Sequence, residues 1–120
     1  MSKFYVVFGC LRYAGDWPKT RKAALALGIE KWKFMVQVLE QEGNPIIGDG
    51  GARTCALCNL FMEWFPEMSC GNCPIDKATK GLGCKGSPYG DYFKAENKQE
   101  ALSAACAMVR FLQRLQIKLY

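Results

Sequence analysis

The sequence predicts a mainly α-helical chain with a small β element, an α+β class in which helices pack around a cysteine-rich, metal-stapled loop region. Three observations predict it. Two long stretches, 19–42 and 97–116, repeat apolar residues at helical spacing; one short N-terminal run is aromatic and β-branched; and a middle segment replaces aliphatic periodicity with Cys, Gly and Pro. The length of 120 residues suits a single domain, 1–120, and a chain of that size buries about two-thirds of the surface it exposes when unfolded. Within it, residues 1–54 hold the strand and first helices, 55–94 the Cys-rich metal-binding segment, and 95–120 the final helix.

In chain order, KFYVVFGCL (3–11) reads as a strand with Phe4, Val6 and Phe8 on one face, and RYAGDWP (12–18) as a turn. From Lys19 to Glu42, Leu25, Ile29, Trp32, Val36 and Leu39 form one apolar stripe. Gly28 interrupts it. Because glycine costs about 1 kcal/mol against alanine inside a helix, a break or tight turn is expected there. Gly43 ends the second piece, and GNPIIGDGGAR (43–53) is a glycine-rich loop. Thr54 is placed to cap a short helix carrying Ala56, Leu57, Leu60, Phe61, Trp64 and Phe65, which Pro66 stops. Residues 66–93 cannot build an apolar core and need a staple. Asn97, with Glu100 three positions later, has capping-box spacing for the last helix, whose core face is read as Leu102, Ala105, Val109, Leu112 and Leu115. The tail IKLY alternates, and is expected to pair with the N-terminal strand.

There is no histidine. That excludes Ser-His-Asp and Cys-His catalysis and requires any zinc site to be made of thiolates. No GxGxxG, P-loop or HExxH sequence is present either, so the reading is a non-enzyme. Asp49, with Gly48, Gly50 and Gly51, reads as a functional loop or, equally well, as turn chemistry. No apolar run reaches the ~20 residues that span a bilayer, so no membrane partner is expected.

Five of the seven cysteines, Cys55, Cys58, Cys70, Cys73 and Cys84, make two C-x2-C pairs and a later single Cys. Two thiolates three positions apart chelate one ion from a turn, and a second pair completes a tetrahedron, so the spacing predicts zinc. An iron–sulfur cluster would use the same thiolates and is the lesser reading. Four of the five suffice. Spacing alone selects Cys55, Cys58, Cys70 and Cys73, with Cys84 spare or replacing Cys70. Cys10 and Cys106 lie in apolar surroundings and read as small buried hydrophobes.

The net charge is +5, a mild basic bias compatible with nucleic acid without requiring it. Opposite the apolar stripe, Arg21, Lys22, Lys31 and Lys33 are the predicted partner-binding residues. The segment TRKAALALGIEKWKFMVQV (20–38) is similar to a helix-turn-helix through Ala24, Gly28 and Phe34, although Gln37 stands where an apolar residue would pack. Nucleic-acid binding through this segment is therefore the alternative reading, with Trp17, Trp32, Tyr89 and Tyr92 either stacking on bases or packing internally.

Taken in order, IEKW, CALCNLF, CGNCPI, GLGCKGSPYGDYF and MVRFLQRL resemble a family of small cysteine-rich proteins of tailed bacteriophages and prophages, over roughly residues 20–115. The resemblance implies an accessory protein of the bacterial host cytoplasm and a metal held by Cys84 together with Cys55, Cys58 and Cys73, which places Cys70 in question. It implies action by occupying the surface of a host or phage protein, for example as an inhibitor of host defence or transcription.

Overall fold

The computed structural model describes residues 3–41, 46–49, 54–57, 74–80 and 86–120. These residues are mostly helical, with one two-stranded antiparallel sheet. The α+β class read from the sequence holds at that level.

The N-terminal run is a hairpin and not the single strand expected over 3–11. Strand β1 (Phe4–Val7) pairs with β2 (Cys10–Tyr13) in the register Phe4 to Tyr13, Tyr5 to Arg12, Val6 to Leu11 and Val7 to Cys10. Phe8 and Gly9 form the two-residue turn, both with positive φ (51° and 73°), the backbone sign of the turn whose twist matches paired strands. The turn reverses the chain, so Phe4, Val6 and Phe8 do not share a buried face. Phe4 is buried, Val6 is exposed, and Phe8 projects fully into solvent. The second strand also borders residues 46–49. Gly48 donates to the Gly9 carbonyl and accepts from the Leu11 amide, each at 2.8 Å. A β carbon on Gly48 would stand 3.4 Å from the Cys10 sulfur, an ordinary van der Waals contact.

Helix α1 runs unbroken from Arg21 to Glu40. Thr20 caps it by accepting from the Ala23 amide at 3.2 Å. The turn expected at Gly28 is absent. Ala24, Leu25, Ile29, Trp32, Met35 and Leu39 are all buried along this helix. Each large apolar side chain contributes about 1.5–3 kcal/mol on burial, which outweighs the ~1 kcal/mol glycine penalty. A helix-turn-helix therefore does not exist in this segment.

Helices α2 (Pro74–Ala78), α3 (Pro88–Lys94) and α4 (Lys98–Leu119) follow. Ser87 caps α3, and Pro88 occupies its first position, where a missing N–H costs nothing. Asn97 caps α4 by accepting from the Glu100 amide at 2.9 Å. Glu100 returns the contact to Asn97 Nδ2 and to the Glu96 amide. The expected capping pair is present, with the return bond shifted one residue outward. The tail does not pair with the hairpin, because α4 carries it helically to Leu119. The core face of α4 is rotated from the expected one. Ala101, Ala104, Ala105, Met108, Leu112 and Leu115 are buried, and Leu102 and Val109 sit at its margin.

Helices α1 and α4 lie antiparallel. Lys98, at the start of α4, donates its ammonium to the Gln41 carbonyl at the end of α1, where the helix dipole favours a cation. Further along, a β carbon on Gly28 would lie 3.7 Å from Leu112, an ordinary contact. Among the described residues the buried apolar side chains form one cluster that takes in the hairpin through Phe4 and Leu11, both long helices, Ile47, Ala56, Leu57, Ile75 and Tyr92.

Candidate functional site

The cysteine segment emerges from this core at residues 54–57. Thr54, Ala56 and Leu57 are each at most 2% exposed, and Cys55 between them is half-buried, so its thiol sits at the margin of the core. Cys58, Cys70, Cys73 and Cys84 lie outside the described residues. Their described neighbours are placed. Ile75, two residues after Cys73, is buried in the same cluster and accepts the Thr79 hydroxyl at 3.0 Å on its carbonyl. Ser87, three residues after Cys84, is buried and directs its hydroxyl to the Met108 sulfur at 3.7 Å. The chain is thus fastened to the helical core beside Cys55, Cys73 and Cys84. Among the described residues no group of three or more metal-ligating side chains comes together. Cys10 and Cys106, expected to be buried, are half-buried; the Arg12 guanidinium donates to the Cys10 sulfur at 3.4 Å.

The polar centre beside Thr54 was not legible as a site in the sequence. Lys31 comes from the middle of α1 and is 3% exposed. Its ammonium lies 3.2 Å from Asp49 Oδ2, forming an ion pair whose side chains are 4% and 13% exposed. The Tyr89 hydroxyl approaches the other carboxylate oxygen at 3.4 Å, and the Thr54 hydroxyl donates to the Asp49 carbonyl. Trp32 stands edge-on to Tyr92 and Tyr89, with ring centroids 5.2 and 6.0 Å away. The Tyr92 hydroxyl donates to the Ile47 carbonyl. Four pieces of chain meet here: α1, residues 46–49, the start of the cysteine segment and α3.

This geometry corrects one partner-binding residue. Lys31 is not on the exposed face with Arg21, Lys22 and Lys33, which are indeed exposed. Gly28, Lys31, Trp32, Met35 and Leu39 follow one helical stripe, so Lys31 points inward and must be paired to remain charged there. That spacing was visible in the sequence; the identity of Asp49, eighteen positions away, was not. Trp32 and Tyr92 are buried and give no face for a base to stack on.

The electrostatics follow from burial. Tyr92 is pushed well above the ordinary phenol value of 10, first because it is buried and then because the Asp49 carboxylate and Tyr89 stand near it. Its neutral hydroxyl is a lasting donor to the backbone. Asp49 takes Lys31 and Tyr89 on its two oxygens and holds Thr54 through its carbonyl, so each group in the cluster joins one element to another. The arrangement fixes the position of Cys55 relative to α1 and α3. No family model matches the sequence, and no curated protein and no solved structure matches it either.

Proposed function

We propose that this chain is a small zinc-stapled accessory protein of the phage type, working in the host cytoplasm by occupying the surface of a host or phage protein and so inhibiting it, as an anti-defence protein would. The observation that carries the reading is the clamping of the cysteine segment. A segment with five cysteines, which from residue 66 on has almost no aliphatic periodicity, is tied to one helical core beside Cys55, Cys73 and Cys84. Under this reading a bound ion supplies the folding energy that the segment lacks. Zinc held by four thiolates is coordinatively closed, so it acts as a staple and leaves recognition to the protein surface. Nucleic-acid binding through residues 20–38 loses its basis, since α1 has no turn and Lys31 is buried.

The ligand set under this reading is Cys55, Cys58, Cys73 and Cys84, with Cys70 dispensable. Single serine substitutions test it through zinc content and melting temperature. Cys70→Ser is expected to keep both, and the other four substitutions to lose both. Zinc loss on Cys70→Ser with none on Cys84→Ser would reverse the assignment. The binding role is tested by affinity purification from producing cells, which should recover a protein partner that survives nuclease treatment.

A further inference from the structure

Between α1 and α4 runs an open groove of about 380 Å³ lined by Lys33, Val36, Gln37, Cys106, Val109 and Arg110. Its floor is apolar, from Val36 and Val109, and its two rims each carry a cation. Arg110, Arg114 and Lys118 recur every four residues on the exposed side of α4, about 6 Å apart along the axis and each turned about 40° further from Val109, so that of the three Arg110 borders the groove. On α1, Lys22 lies eleven residues before Lys33, three turns away on the same exposed face. The antiparallel register, in which Gly28 faces Leu112 and Lys98 meets Gln41, brings Lys22 level with Lys118. None of Lys22, Lys33, Arg110, Arg114 and Lys118 makes an ion pair or side-chain hydrogen bond with a described residue. Glu30 is the acidic residue on this stretch; Glu40 and Glu100 stand at the other end of the helix pair.

We propose that this groove is a docking site for an acidic protein segment that sets aliphatic side chains on Val36 and Val109 and carboxylates against Lys33 and Arg110. The inference rests on the reading of the chain as a surface-occupying protein and names where and with what chemistry it binds. Charge complementarity selects an acidic occupant, because cations with no partner among the described residues attract and orient one. The apolar floor selects a protein segment over a nucleic-acid backbone, whose phosphates offer nothing to bury against valine. The buried Lys31–Asp49 pair contributes no net charge to this face.

The test is fluorescence anisotropy on the full zinc-loaded chain with three labelled probes: a short peptide alternating glutamate and leucine at helical spacing, a polyglutamate of equal charge, and a DNA duplex. The glutamate–leucine peptide is expected to bind saturably and to weaken with salt. Its affinity should fall about tenfold or more in Lys33→Glu/Arg110→Glu, and polyglutamate should bind about tenfold more weakly than it does. Circular dichroism and melting temperature of the variant establish that it folds, and Lys33→Gln/Arg110→Gln serves in its place if it does not. No binding of the peptide, unchanged affinity in the folded variant, or equal binding by polyglutamate or DNA would overturn the proposal. A purified partner retained by the folded variant would leave the surface-occupying role intact and place its site elsewhere.

Discussion

Lys31 shows how a single residue can be misread when the partner that explains it is distant. A lysine on a helix is ordinarily solvated, and the sequence places Lys31 among exposed cations. In the fold it lies on the core side of α1, and Asp49 neutralises it. Removing one member of such a pair strands the other in a poorly solvated site, which costs about 3–5 kcal/mol; replacing both by apolar groups can be close to neutral. Lys31→Met is therefore expected to lower unfolding free energy by about 3 kcal/mol, and Lys31→Met/Asp49→Leu to recover most of it. Urea denaturation of the two singles and the double measures the coupling; additive losses would show that the pair does not act as a unit. Tyr92 gives a second residue-scale expectation. Its folded pKa is raised above 10, so its contribution to stability is full below pH 10 and is lost as pH rises above it, when the unfolded chain ionises and the folded one does not. Stability should fall above pH 10 by up to about 1.4 kcal/mol per pH unit from this group. Tyr92→Phe, which cannot ionise, should show a shallower decline above pH 10 while losing about 1 kcal/mol at neutral pH with its hydrogen bond to Ile47.

Helix α1 and the hairpin mark where local rules were overruled at the scale of elements. The caps at Thr20, Ser87 and Asn97 are short-range chemistry, and those at Thr20 and Asn97 bound the two long helices within two residues of where periodicity ends them. Gly28 was read by propensity alone as a break, yet its neighbours bury a continuous stripe on α4, and packing decides. The hairpin is not legible in the sequence because Phe8-Gly9 lacks the usual Asn-Gly signature, and period-two alternation runs through the turn without a gap. The same physics yields a test of α1. A β carbon at Gly28 meets Leu112 at an ordinary 3.7 Å and gains helix propensity, so Gly28→Ala should stabilise the protein by about 0.5–1 kcal/mol. Thermal denaturation settles it: a destabilised alanine variant would mean that residue 28 occupies a turn, as a helix-turn-helix requires.

Across the whole molecule, the α+β class was legible because helical periodicity and a β-branched run are local patterns. The α1–α4 groove was not, since it depends on which faces of two helices remain outside after the other faces have packed. The absence of histidine and the C-x2-C spacing carry the metal reading from sequence, and the structure adds the anchoring of the segment beside Cys55, Cys73 and Cys84. Among the described residues the molecule is a helical pair with a hairpin packed against it, and the proposed staple lies in the segment between the two long helices. If the staple supplies folding energy, a chelator strong enough to strip zinc should lower the melting temperature and loosen residues 54–94 before α1 and α4. The most direct measurement is metal content per chain by elemental analysis of protein prepared without added metal. The account predicts close to one equivalent of zinc, lost together with thermal stability on chelation. Protein that is brown and iron-loaded, or that holds no metal and melts unchanged with chelator, would contradict it.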